Sequence, residues 1–99
     1  MGVEEHRVVR FFPDYGARWC LWEDGSENYT PTATELGASA QLEDQIGEWY
    51  DFWEIHVEPG IGWDNPADRE AWRTQGNRIV ADLNEELNSK GIFVRQQFA

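Results

Sequence analysis

The chain is poor in positive charge, has a single thiol and has no long apolar run. Lys and Arg total 8 in 99 residues against 19 Asp and Glu, a formal net charge of −11. Direct nucleic-acid binding is excluded on that balance, because it needs cations that replace phosphate counterions. Adhesion to an anionic membrane surface is excluded for the same reason. Cys20 is the one cysteine, so no intrachain disulfide forms, which fits a reducing, cytoplasmic setting. No apolar stretch approaches the roughly 20 residues of a membrane span. The segment Met1-Gly2-Val3-Glu4-Glu5 is acidic and leads into no apolar region, so no secretory signal is read. His6 and His56 are the only histidines, and neither Cys-x-x-Cys nor His-Glu-x-x-His occurs, so no metal or cofactor is assigned. There is also no Gly-x-Ser-x-Gly elbow and no phosphate-cradling glycine loop, so no catalytic residue is assigned.

What the chain does have is aromatic mass. Six tryptophans, five phenylalanines and three tyrosines set it apart from disordered acidic chains, which lack the apolar groups that offset ordering entropy. Its length suits one domain, residues 1–99, with a modest core. Residues 6–12 are rich in β-branched and aromatic types and stop at Pro13, so they read as a strand. Residues 17–23 read as a second strand after the turn Pro13-Asp14-Tyr15-Gly16. Strand alternation then puts Trp19 and Trp22 on opposite faces. Residues 24–38 form a polar loop with a short helical turn at 32–36. Ser39 caps a helix from Ala40 to Glu58, with a core stripe of Leu42, Ile46, Trp49, Tyr50, Trp53 and Val57. Pro59-Gly60-Ile61-Gly62 ends it, and Trp63 plugs the end of the core.

Asp64-Asn65-Pro66 opens a second long helix, with Pro at its first position. Trp72, Gly76, Ile79, Val80, Leu83 and Leu87 form the stripe, and Gly76 lets the two helices approach closely. This helix runs to about Ser89, Gly91 caps it, and residues 92–98 form a third strand. The order is β-β-α-α-β. It predicts an α+β fold: a small antiparallel sheet with two helices packed on one face. On the open sheet face the alternation groups Arg10, Arg18 and Arg95.

The charge is unevenly placed. Residues 14–64 hold twelve acids and one cation, Arg18, and the rest of the chain is neutral. The first long helix is the centre of the excess. Asp44, Glu48, Asp51 and Glu58 share the face opposite its core stripe, with Glu54 on one shoulder. Ile55 lies on the same outward face and Phe52 on the other shoulder. This helix has no Lys or Arg of its own, so neighbouring acids repel. Its last acids, Glu54 and Glu58, oppose the helix dipole. A sequence that breaks local rules without local compensation marks a candidate functional surface. Acids around apolar side chains suit a basic protein partner, with the carboxylates steering association.

The segments Trp49-Tyr50-Asp51-Phe52-Trp53-Glu54, Gly62-Trp63-Asp64 and Ala71-Trp72-Arg73 resemble those of short, acidic, tryptophan-rich actinobacterial proteins of unassigned activity. In size and charge the chain is also similar to immunity proteins that neutralise basic nuclease toxins. That similarity implies a non-enzymatic binding protein, an immunity or inhibitor protein, and carries over no residues; the charge and spacing of the first long helix assign Asp44, Glu48, Asp51, Phe52, Glu54, Ile55 and Glu58 to the partner. The alternative is a small-ligand or carbohydrate-binding module using exposed tryptophans such as Trp63. A hydrolase using paired carboxylates is a third reading. A homodimer that buries the open sheet face is compatible with the first.

Overall fold

A computed structural model describes residues 7–98. The acidic segment 1–5 and His6 lie outside the described residues. Five short strands and three helices follow in the order β1 (Arg7–Phe11), β2 (Leu21–Trp22), α1 (Ala33–Leu36), α2 (Ala40–His56), β3 (Val57–Glu58), β4 (Gly62–Trp63), α3 (Pro66–Leu87) and β5 (Ile92–Gln96). The fold is α+β, with α2 and α3 covering one face of a three-stranded sheet ordered β2-β1-β5.

The sheet differs from expectation in one respect. β1 and β2 are antiparallel, but β1 and β5 run parallel, with Val9 opposite Val94 and Arg10 opposite Arg95. Parallel neighbours need a long crossover, and the helical segment between them supplies it. On the covered face Val9, Phe11, Leu21, Ile92 and Val94 are buried. Arg10 and Arg95 share the open face, because laterally paired strand residues point the same way.

Arg18 does not join them. Cys20 has a left-handed backbone, φ 61°, which breaks the extended run, so residues 17–20 form a turn. Its N–H donates to the Ala17 carbonyl, and the Ala17 N–H donates to Asp14. Strand alternation therefore does not divide Trp19 from Trp22. Trp19 packs against the core. Trp22 stacks on Phe12 at 5.0 Å and donates its indole N–H to the Phe12 carbonyl.

Both long helices start where the sequence signals them. The Ser39 hydroxyl accepts the Leu42 N–H, and the Asn65 side chain accepts the Ala67 N–H beside Pro66. α2 stops two residues before the expected Glu58. Val57 is extended, and 57–63 form a small hairpin in which Val57 faces Trp63. Gly60 and Gly62 take positive φ there, so the two residues read as a plain terminator close a turn. α3 ends at Leu87 in a short 3-10 turn, and Gly91 takes the left-handed conformation that leads into β5.

The helices meet through a reciprocal tryptophan pair. Trp49 and Trp72 stack with centroids 4.1 Å apart and planes 7° apart. Each indole N–H donates to the other residue's carbonyl, at 2.9 and 3.1 Å. Buried indoles need such partners. Phe98 packs edge-on against both rings. Gly76 is the close-approach position: a Cβ there would lie 2.6 Å from Phe98 and 2.7 Å from Trp49.

Candidate functional site

The exposed flank of α2 carries the expected residues, each held differently. Asp44 and Glu48 are exposed and make no hydrogen bond or ion pair with any described residue. Asp51 pairs with Arg18, reaching out of the 17–20 turn, so the helix draws on a cation from elsewhere in the chain. Arg18 also lies over the Trp19 ring, and Gly47 leaves room for the guanidinium. Glu54 accepts the Tyr50 hydroxyl at 3.0 Å, and that hydroxyl in turn accepts the Gly16 N–H. Burial pushes the Tyr50 phenol above its ordinary pKa. Glu58 is exposed but sits in β3, past the helix end. It extends the acidic strip without opposing the α2 dipole from inside the helix.

The apolar members behave as a pair. Ile55 is 75% exposed, a large share for a β-branched side chain in a helix with a buried face. Phe52 is half-buried, lying 4.2 Å from the His56 ring and 6.2 Å from Trp63. It thus belongs both to the outer surface and to the seam between α2 and α3.

That seam is the feature the sequence did not disclose. A groove of about 250 Å³ opens between the helices, lined by Gln45, Glu48, Trp49, Phe52, Ala71, Trp72 and Gln75. A second, more polar depression of about 260 Å³ shares Gln45 and continues to Asp82, Glu85 and Glu86. Glu86 caps Ser39 from α3. Acids of α3 therefore extend the negative surface along the seam, although the charge excess of the sequence ends at residue 64. The contributors lie on two helices joined through the 57–63 hairpin, and the packing angle between the helices brings them together. The 3.6-residue period of α3 carried the signal: Ala71, Gln75, Asp82 and Glu86 form one stripe beside the core.

At the other end of the seam, His56, Asp64 and Asp68 bring three possible metal ligands within 4.8 Å. The His56 Nδ1 lies 3.0 Å from Asp64 and 3.8 Å from Asp68. Helix-end electrostatics account for the arrangement. His56 is in the last turn of α2, and Asp68 is in the first turn of α3, where each helix dipole favours that type. Cys20 is buried, and burial pushes its thiol pKa far up. A thiol so raised is a poor nucleophile.

Three other acids are internal fittings. Glu23 is buried and accepts two bonds of 2.7 Å from the Arg7 guanidinium, which holds its carboxyl below the usual range. Glu43 accepts the Thr34 N–H and hydroxyl, and Glu35 accepts the Thr32 N–H. Both carboxyls are lowered by those bonds, led in each case by the backbone one. Within α2, Asp44 and Glu48 have no such duty, a state they share with Glu58 in β3 and with Asp82 and Glu85 of α3. Among the described residues no helix is long and apolar enough to cross a membrane.

A small α+β fold with an exposed acidic helix beside an apolar seam is what this geometry defines. The chain belongs to the Serratia CdiI immunity protein-like family, whose model matches residues 7–94. Membership places it among immunity proteins, a protein-binding and generally non-enzymatic class. No curated protein matches the sequence.

Proposed function

We propose that this chain neutralises a toxin by binding it, and that the toxin presents a basic surface to the outer flank of α2. The observation that carries the reading is the free state of Asp44 and Glu48. They are exposed and unpartnered, on the same face of α2 as the 75% exposed Ile55. Surface carboxylates without internal partners retain their full field for steering a cation-rich partner. Ile55 and Phe52 add apolar contact within the acidic rim. Asp51, Glu54 and Glu58 complete the strip. Asp51 and Glu54 contribute from positions fixed by Arg18 and Tyr50. Carboxylates on a helix can occupy the phosphate positions of a nuclease site, which makes a basic nuclease the fitting target. The reading is non-enzymatic and cytoplasmic, and it requires no cofactor.

The test is affinity capture from the native host, washed at two salt concentrations, with the native chain and with the double variant Asp44→Lys/Glu48→Lys. The expected result is a basic toxin retained by the native chain at low salt and lost at high salt. The variant should not retain it, and co-expression of the native chain should restore growth of cells that produce it. A toxin held equally by the variant at both salt concentrations would remove the α2 face from the account.

A further inference from the structure

We infer that the groove between α2 and α3 is a binding site for one arginine side chain of the partner. This rests on the protein-binding reading and adds a defined anchor to it. The groove has two chemically distinct parts. Phe52, Trp49 and Trp72 give it an apolar floor, while Glu48, Gln45 and Gln75 supply polar groups around it. None of those three polar side chains makes a hydrogen bond or ion pair with a described residue. A carboxylate and two amides that face solvent around an apolar floor, none of them engaged by the protein, are open to a ligand.

Arginine suits those groups better than any other side chain. Its methylene stem covers apolar surface while its head stays at the polar rim. The planar guanidinium offers five donors in a fixed fork. The Glu48 carboxylate and the Gln45 and Gln75 carbonyl oxygens are acceptors for such a fork. Lysine carries a compact ammonium and stacks less well on aromatic surface. The surroundings favour a cation as well: Asp82, Glu85 and Glu86 line the adjoining depression. Arg78 is the one cation that helical spacing places on this flank of α3, one turn from Gln75 and from Asp82. It leaves the acids in excess.

The groove can be tested without the toxin. N-acetyl-L-arginine amide is titrated into the native chain while the amide and indole signals are followed by NMR. Its citrulline counterpart, uncharged and of the same shape, is the control. Saturating shifts are expected at the Gln45 and Gln75 side-chain amides and at the Ala71 backbone amide. Glu48→Gln should weaken binding at least five-fold. Ala71→Phe, which fills the groove from an exposed helix position without changing a charge, should abolish the shifts while the remaining spectrum stays native. Absent or non-saturating shifts, equal shifts with citrulline, or shifts that survive Ala71→Phe would overturn the site. Toxin affinity unchanged by Ala71→Phe would overturn its assignment to the partner. Failure of the arginine titration counts against the groove alone, whereas failure of toxin capture counts against the protein-binding reading.

Discussion

Replacing Gly76 with alanine tests whether the helix pair is built around the absence of one side chain. On helix propensity alone Gly76→Ala should stabilise α3 by about 1 kcal/mol. The packing opposes this. The new Cβ would lie 2.6 Å from Phe98 and 2.7 Å from Trp49, and neither ring is free to swing aside. The Trp49 ring is held by its stack on Trp72 and by its own indole N–H donating to the Trp72 carbonyl. Phe98 is wedged between Phe11, Trp49 and Trp72. Overpacking a close-packed site costs about 1–3 kcal/mol. Weakening one indole hydrogen bond adds about 1 kcal/mol. After the propensity gain is subtracted, the net loss is about 1–3 kcal/mol. Urea unfolding followed by tryptophan fluorescence should show it, together with a fall in Tm of at least about 4 °C. In a Phe98→Ala background one of the two blocking rings is gone, so the same substitution should cost less, with a coupling of at least about 0.5 kcal/mol. A neutral or stabilising Gly76→Ala in the native background would refute the close-approach argument.

Two further outcomes follow from the same geometry. The Asn84 side chain accepts the Val94 N–H at 2.8 Å and donates to the Val94 carbonyl at 3.0 Å, so it occupies part of the outer edge of β5 as another strand would. Asn84→Ala should cost about 1–3 kcal/mol in urea unfolding and, by uncovering the edge, raise self-association in light scattering; a stable monomeric variant would contradict this. The lowered carboxyls of Glu23, Glu35 and Glu43 bind protons more weakly in the folded than in the unfolded chain. Their stabilisation is therefore complete above the unfolded carboxyl pKa of about 4.3 and is lost as pH falls through the lower folded values. Glu23→Gln should flatten the acid limb of the stability curve, and an unchanged slope below about pH 4.3 would argue against the Arg7–Glu23 pair as a contributor.

Long periodic stretches were legible in the sequence because a single face decides them. Of the two expected stripes, Leu42, Ile46, Trp49 and Tyr50 and Trp72, Gly76, Ile79, Leu83 and Leu87 are buried, Trp53 and Val80 are half-buried, and Val57 falls past the helix end; both caps sit at Ser39 and Asn65. Short elements were harder to read, because local backbone choices override composition there. The left-handed Cys20 shortens the second strand to Leu21–Trp22, and Gly60 and Gly62 turn an apparent stop into a hairpin. The parallel pairing of β1 with β5 is a matter of topology, and strand composition alone does not distinguish it from an antiparallel pair. At the candidate site Asp44, Glu48, Asp51, Glu54 and Ile55 could be placed from helical spacing, whereas Glu58 lies past the helix end in β3. Their partners could not, since Arg18 reaches Asp51 across 33 positions of sequence. The groove needed the angle between two helices, which no window of sequence contains.

On the proposed reading the outer flank of α2 binds a basic protein through carboxylates that have no internal partner. Its most direct test is the dissociation constant of the captured toxin, measured by calorimetry at low and high salt with the native chain and with Asp44→Lys/Glu48→Lys. Affinity should weaken with salt in the native chain, and the variant should lose about a hundredfold at low salt. The variant should also have a shallower salt dependence. Equal affinity and equal salt dependence for the two proteins would contradict it.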